Sequence, residues 1–227
     1  CSLNKNLIRG LFSFKKTLKK INDIEPDLFH LHAAHEYLPL LKLFTPNIPT
    51  VFTVHGYHGP FHKFDYKLSS FFINLWSKTA ITVSKSEQEL MLKSGVNKNK
   101  LNLIYNGVSL PDSYSTDNLP ARILSKIDTA DTVIGAAGRL EKTKGFSYLI
   151  EAFSRLLPAS VHLLIMGTGQ QEKQLKKQVK ELSLNEKVTF SGYVNNIHDY
   201  LEAVDIFAVP SLREPFGLVA AEAMAHK

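Results

Sequence analysis

Hydrophobic and polar positions follow two alternating patterns along the chain. Short runs rich in Val, Ile, Phe and Thr are typical of buried strands. They alternate with longer segments in which apolar residues recur every three or four positions, as on one face of a helix. Up to residue 105, this alternation predicts strands at 27–32, 50–55, 79–84 and 101–105 and helices at 7–21, 36–44, 64–78 and 84–93. Ser84 and Glu87 have the spacing of a capping box, and Gly95 follows the end of the helix that they open.

The alternation stops at residue 106 and resumes at residue 132. The residues between hold Asn-Gly and Pro-Asp pairs, several serines and a further proline, and they show no clear periodicity, which predicts a linker. After this linker, strands are predicted at 132–137, 161–166, 187–190 and 205–209, and helices at 145–157, 170–182, 197–203 and from about 216 onward.

Alternating strands and helices build a parallel sheet with helices on both faces. Two such runs, divided by a linker, predict an α/β protein of two Rossmann-like doubly wound domains, with residues 1–115 in the first and 116–227 in the second. In sheets of this kind, ligands bind outside the carboxyl ends of the strands. The residues that directly follow the predicted strands are therefore the candidates for a functional site.

Composition adds few constraints to this picture. The 227 residues are 44% hydrophobic and 21% charged, as in an ordinary globular protein, and no apolar run approaches the ~20 residues of a membrane span. The single cysteine, Cys1, excludes an internal disulfide and fits a reducing cytosol, so we expect a cytoplasmic protein. The formal net charge of +6 suits anionic ligands such as phosphates, although many proteins are mildly basic without binding them. The lysines are not interleaved with aromatic residues on a recognisable module, which argues against nucleic-acid binding.

A basic loop follows the strand predicted at 132–137. It reads GRLEKTKG and places Gly138, Arg139, Lys144 and Gly145 just before a predicted helix. Glycines allow a ligand to approach the backbone, the start of a helix favours anions, and Arg and Lys suit phosphate oxygens. The loop is a candidate diphosphate site, but from its sequence alone it is equally well a solvated basic loop.

The strand predicted at 161–166 is followed by Gly-Thr-Gly at 167–169. This tripeptide resembles half of a dinucleotide-binding fingerprint, but Glu172 occupies the position where the fingerprint has Gly or Ala. No acidic ribose ligand follows at the expected strand end. We therefore predict a tight turn into a helix near the ligand, and no nicotinamide site.

Two glutamates bracket an apolar segment near the end of the sequence. Glu214 precedes Pro215, a residue suited to the first turn of a helix, and Glu222 lies inside the helix that follows. A carboxylate in the loop can contact a sugar, and one on the helix can accept hydrogen bonds from ribose hydroxyls. The alternative for Glu222 is an ordinary solvent-facing helix residue.

Histidines cluster at strand ends in the first half of the chain. His30, His32 and His35 surround one strand end, and His55 ends another and is followed by a glycine. No Cys or carboxylate accompanies them at metal-ligand spacing, and the chain has no Asp-x-Asp motif, so a metal site is disfavoured. His55 is the strongest of these candidates for ligand contact. The alternative is a structural role, which is the commoner one for a single histidine at a strand end.

Taken together, these motifs resemble the GT-B glycosyltransferases of the group 1 family, glycosyltransferase family 4. Glu214 and Glu222 have the spacing of the Glu-x7-Glu signature of that family. The matching segments occur in the family's order and are PDLFHLH at 26–32, TVHG at 53–56, AITVSKS at 80–86, IYNGV at 104–108, GRLEKTKG at 138–145, FSGYV at 190–194, PSLREPFGL at 210–218 and EAMA at 222–225.

The resemblance implies an enzyme that moves a hexose-type sugar, with retention of configuration, from a nucleotide-diphosphate donor to a cell-envelope glycan or lipid-linked acceptor. It implies no metal and no cofactor other than the nucleotide sugar as co-substrate. The implied catalytic residues are Glu214 and His55, and the implied donor-binding residues are Gly138, Arg139, Lys144, Val194, Phe216, Gly217, Leu218 and Glu222.

Within that set, Arg139 and Lys144 would hold the diphosphate and Glu222 the nucleotide ribose. Glu214 and the backbone at 216–218 would contact the sugar and phosphate, with His55 approaching the sugar from the first domain. Val194 would lie near the base. The family's usual mechanism is front-face attack, in which the donor phosphate helps to deprotonate the acceptor.

Compared with the family pattern, the chain begins after the first strand and glycine-rich loop and stops near the Glu-x7-Glu helix. We therefore expect a fragment in which both domains are incomplete and which is inactive alone. The basic helix predicted at 7–21 suits peripheral contact with the inner membrane, although packing on the sheet is the commoner role of such a helix. The alternative function is a nucleotide-sugar-binding subunit that has lost catalysis.

Overall fold

The structure is a computed structural model that describes residues 19–21, 23–32, 38–57, 62–109, 111–156 and 160–226. It has two compact units, residues 1–106 and 107–227. Each unit contains a four-stranded, fully parallel sheet with helices between successive strands, which confirms the predicted α/β class. The helix predicted at 7–21 lies outside the described residues except for positions 19–21, which are helical.

In the first unit the strands lie side by side in chain order. They are β1 (Phe29–His32), β2 (Thr50–Val54), β3 (Thr79–Thr82) and β4 (Leu101–Leu103), and the helices between them are α1 (Leu38–Phe44), α2 (His62–Trp76) and α3 (Lys85–Lys93). The core forms where Phe52 and Val54 of the central strand pack with Ile73 of α2 and Met91 of α3. All four predicted strands are confirmed; β1, β3 and β4 are each two residues shorter than predicted, and β2 is one residue shorter.

The predicted capping box opens helix α3. Ser84 Oγ accepts a hydrogen bond from the backbone N–H of Glu87 at 3.2 Å, which satisfies one of the donors that the first turn of a helix leaves unpaired. The helix ends at Lys93, and Gly95 adopts a φ of +100° just beyond it, as the sequence predicts.

In the second unit the strands do not lie side by side in chain order. The strands are β5 (Thr132–Ala137), β6 (Val161–Met166), β7 (Val188–Gly192) and β8 (Ile206–Phe207), and the spatial order is β7-β6-β5-β8. The helices are α4 (Ala121–Ile127), α5 (Phe146–Leu156), α6 (Glu172–Glu181), α7 (Ile197–Glu202) and α8 (Leu218–Ala225). From β5 the chain builds outward to β7 and then returns to the other side of β5, so the switch point of the sheet lies between β5 and β8.

The predicted linker over 106–131 is wrong in its second half, because residues 121–127 form helix α4. Leu119, Ile123 and Ile127 are buried and lie four residues apart, on one face of this segment. Upstream of the helix, the backbone N–H of Ser115 donates to Asp199 Oδ1 at 3.0 Å. These contacts tie the segment to the second unit, which therefore begins at residue 107, before the predicted division after residue 115.

Replacing Ile123 with Ala tests whether this segment belongs to the core. We expect the second unit to lose about 2–5 kcal/mol of unfolding free energy, because a fully buried side chain leaves a cavity behind. Urea denaturation of the full-length protein measures the loss. Ser125→Ala, at an exposed position of the same helix, is the matched control, and equal stability of the two variants would contradict this assignment.

A buried histidine makes the second unit sensitive to acid. His162 of β6 bonds to Thr189 Oγ1 of β7 at 2.9 Å, and burial, followed by the nearby charge of Lys126, lowers its pKa below the ordinary 6.5. The unfolded chain therefore binds this proton first, so we expect stability to fall as the pH drops below about 6.5. His162→Gln keeps an amide near Thr189 but cannot titrate, and its stability should fall less over the same interval in urea titrations. An identical decline in both proteins would contradict the prediction.

Candidate functional site

The loops that follow β5 and β8 meet at the switch point of the second sheet. The backbone N–H of Leu212, in the loop after β8, donates to the carbonyl of Thr143 in the basic loop at 2.9 Å. Gly145 adopts a φ of +68°, and a Cβ at this position would lie 2.0 Å from the carbonyl oxygen of Pro210. Only glycine satisfies both the backbone conformation and the close approach, so Gly145 sets how tightly the two loops pack.

This packing brings together two of the predicted site residues. Lys144 Nζ lies 2.5 Å from Glu214 Oε2, and both side chains are about three-quarters buried, at 25% and 26% exposure. Ser211 Oγ donates to the same carboxylate oxygen at 3.1 Å. A charge pair withdrawn this far from water is screened much less than a surface pair. The predicted phosphate cation and the predicted sugar-binding carboxylate therefore form one contact.

Arg139 and Gly138 occupy the start of the same loop. The Arg139 side chain is 72% exposed and pairs with Glu141 at 3.3 Å, so the structure does not join it to the Lys144–Glu214 contact. A Cβ at Gly138 would lie 3.9 Å from Lys144 Cδ, which shows that the lysine side chain lies beside this glycine. The two predicted phosphate cations thus differ, because Lys144 is held in place and Arg139 is solvated.

Helix α8 carries the second predicted glutamate. Gly217 precedes the helix with a φ of +84°, and its carbonyl accepts the helical bond from Ala221 at 3.1 Å. Phe216 is half-buried, and Leu218 opens the helix and is exposed. Glu222 is half-buried, and among the residues that the structure describes none bonds or pairs with its carboxylate. Leu218 and Glu222 lie four residues apart and share one helix face.

The Gly-Thr-Gly turn after β6 packs against the basic loop. The N–H of Leu140 donates to the carbonyl of Thr168 at 2.9 Å, and the N–H of Gly167 donates to that of Gly192 at 2.8 Å. A Cβ at Gly167 would lie 2.0 Å from the carbonyl oxygen of Gly138. The glycines of this turn therefore allow neighbouring loops to approach closely, as expected for a tight turn.

The end of β7 holds the predicted base-side residue. The Val194 side chain is half-buried and packs on the apolar cluster that includes Ile197 and Val204, so a ligand would meet its backbone. Its neighbour Tyr193 is 77% exposed. Sequence reasoning did not single out Ser211, because its bond to Glu214 depends on loop conformation.

In the first unit, the strand-end histidines form a row. His32 Nδ1 lies 2.8 Å from His55 Nε2, and His30 Nε2 lies 2.7 Å from Thr53 Oγ1. Burial, followed by the neighbouring rings of His32 and His30, lowers the pKa of His55. His35 lies outside the described residues.

The described residues hold neither a cluster of metal-ligating side chains nor a membrane-spanning helix. Within the described ranges, no three His, Cys, Asp or Glu side chains come together as metal ligands would. Among the same residues, no helix combines the length and the apolar character needed to cross a bilayer.

Comparison with known proteins connects both units to one family. Residues 121–227 match the sequence model described as "Glycosyl transferases group 1", and residues 1–111 match that of "Glycosyltransferase Family 4". The solved structure of the Anabaena protein HepE, in complex with UDP and glucose, has a TM-score of 0.76 at 24% identity and covers 92% of this chain and 60% of that one. Sucrose-phosphate synthase from Thermosynechococcus elongatus has a TM-score of 0.75 at 22% identity, covering 92% of this chain and 56% of that one.

Two curated relatives are bacterial transferases. An N-acetylgalactosamine-N,N'-diacetylbacillosaminyl-diphospho-undecaprenol 4-alpha-N-acetylgalactosaminyltransferase from Campylobacter jejuni is 30% identical over 168 residues, which are 72% of this chain and 44% of that protein. The lipopolysaccharide core biosynthesis glycosyltransferase LpsE of Rhizobium meliloti is 38% identical over 104 residues, which are 45% of this chain and 30% of that protein. The chain spans less than half the length of these relatives. With both of its halves matched, the chain belongs to the group 1 glycosyltransferases of family 4 and has their GT-B fold.

Proposed function

We propose that this chain carries the donor site of a glycosyltransferase that moves a hexose-type sugar from a nucleotide diphosphate to a cell-envelope glycan or lipid-linked acceptor. The observation that carries the proposal is the contact between Lys144 and Glu214, made by two loops at the switch point of the second sheet. In this proposal the ammonium would face the leaving diphosphate, and the carboxylate beside it would contact the sugar.

The diphosphate would be held by protein charge. Lys144 offers an ammonium beside the start of the basic loop, and Arg139 is exposed and able to turn its guanidinium towards a phosphate. The first N–H groups of α8 have no partner within the helix and carry partial positive charge. These donors would stabilise the negative charge that develops on the leaving group, and so the reaction would need neither a metal nor a further cofactor.

Hydroxyl groups of the donor would be bound by the two carboxylates. Lys144 and Ser211 both bond to Oε2 of Glu214, so Oε1 is the oxygen that would accept a sugar hydroxyl. Glu222 is half-buried on α8 with both oxygens available for the ribose. The backbone from Phe216 to Leu218 would contact the sugar phosphate, and that of Val194 the base.

The resemblance to the family supports retention of configuration. In front-face attack the acceptor hydroxyl bonds to the sugar on the face from which the diphosphate leaves, so no protein nucleophile is needed. The sugar–phosphate bond breaks in the same step, and the departing phosphate takes the hydroxyl proton, so no protein base is needed either. Glu214 and His55 would then act by contacting the transferred sugar and steadying its developing positive charge.

The relatives support a proposal for the acceptor and for the location. The name of the Campylobacter protein includes a diphospho-undecaprenol acceptor, and the Rhizobium protein acts in lipopolysaccharide core biosynthesis. We infer a cytoplasmic enzyme that works at the inner membrane face, where such acceptors are presented. Nucleic acid is not among the partners that we propose.

Donor binding by the full-length protein tests the proposal. Calorimetry with a panel of UDP-, GDP- and ADP-sugars, in EDTA, should select one donor. Lys144→Ala and Glu222→Ala should each weaken its binding roughly tenfold or more, since hydrogen bonds to charged groups contribute about 1.5–3 kcal/mol. Lys142→Ala is the matched control, because Lys142 is an exposed lysine of the same loop.

Two outcomes of this measurement, and one outcome of a transfer assay on the same protein, would contradict the proposal. Donor binding that requires Mg²⁺ would contradict the proposal of a metal-free site. Unchanged donor affinity in both site variants would show that the donor binds elsewhere. Binding without transfer to any acceptor would favour a nucleotide-sugar-binding subunit that has lost catalysis.

A further inference from the structure

The carboxyl end of the first sheet holds a row of imidazoles. His32 is the last residue of β1, and His55 directly follows β2, its parallel neighbour. We propose that His32 is a positioning residue that holds His55 in one tautomer and one ring orientation, so that Nδ1 of His55 is the nitrogen presented to the sugar. This inference rests on the proposed function, which assigns His55 to the sugar.

The hydrogen bond between the two rings couples the positions of their N–H protons. His32 Nδ1 and His55 Nε2 are 2.8 Å apart, a normal hydrogen-bond distance. Such a bond needs one N–H and one lone pair, so only one of these two nitrogens carries a proton. Nε2 of His55 takes part in this bond as either the donor or the acceptor. In a neutral ring, Nδ1 of His55 then takes the opposite role towards a ligand.

The ring planes are held by this hydrogen bond and by a second anchor. The rings of His32 and His55 are nearly parallel, with centroids 5.1 Å apart and an interplanar angle of 18°. On its other side His32 lies against His30, at 4.3 Å between centroids. His30 is in turn held by the buried Thr53 at 2.7 Å. His32 is thus packed between two rings, one of which is fastened to the sheet.

The surroundings of the row oppose the charged form of two of its three rings. Burial and then the charge of His32 lower the pKa of His30, and burial followed by His32 and His30 lowers that of His55. Within the described residues, the titratable groups that act on His55 are these two histidines, both from β1. A neutral imidazole offers one donor nitrogen and one acceptor nitrogen, which is what a defined hydrogen bond between two rings requires.

Nitrogen NMR of the full-length protein tests the proposal without any substrate. In ¹⁵N-histidine-labelled protein at pH 7.5, the two ring nitrogens of His55 should show the well-separated shifts of a single tautomer. His32→Ala should bring these shifts together as the tautomers mix. It should also raise the pKa of His55 in the NMR titration, because a neighbouring ring that opposes its protonation is gone.

Two conservative variants separate positioning from simple structural loss. His32→Asn places an amide where Nδ1 of the imidazole lay and should restore the single tautomer. His32→Gln carries its amide one bond further from the backbone and should not restore the single tautomer. Hydrolysis of the donors in the UDP-, GDP- and ADP-sugar panel should fall roughly 10- to 100-fold in His32→Ala, as for a misplaced catalytic group, and recover in His32→Asn.

The outcomes distinguish this inference from the proposed function. A single tautomer that survives in His32→Ala would overturn the positioning role, whatever the activity. Histidine signals that shift when EDTA is added would show a metal ligand and would also overturn it. If the tautomer behaves as expected but no panel donor is bound or hydrolysed, the proposed function fails and the positioning of His55 by His32 stands.

Discussion

The candidate site depends on the contact between Lys144 and Glu214. The two residues are 70 positions apart and meet because β8 returns to pair with β5, which brings the loops after both strands to one edge of the sheet. Gly145 allows that meeting, since any side chain there would collide with the carbonyl of Pro210. In the function that we propose, this cation and this carboxylate, held together and mostly out of water, would act on the phosphate and the sugar on either side of the bond that breaks.

The alternation of strands and helices predicted most of the fold. Buried parallel strands such as β5 and β6 are continuous apolar runs, and their observed bounds agree with the prediction. Helix α4 was missed because Pro120 and the turn residues before it obscure the spacing of Ile123 and Ile127. Propensity describes neighbours in sequence, whereas this helix is stabilised by contacts with residues far along the chain.

The site was predictable as a set of residues but not as a geometry. The basic loop and Glu-x7-Glu indicated Lys144 and Glu214, and topology explains why they are close. Nothing in the sequence distinguished Lys144, which is held by Glu214, from Arg139, which faces solvent beside Glu141. That difference arises from loop conformation. The bond between His32 and His55 depends on ring orientation, which the positions of two residues along paired strands do not reveal.

A crystal structure of the full-length protein with bound UDP tests the central claim most directly. The account predicts that the diphosphate lies at the switch point between β5 and β8, with a phosphate oxygen about 3 Å from Lys144 Nζ and the ribose against Glu222. A diphosphate bound away from both loops, with Lys144 still paired only to Glu214, would contradict it.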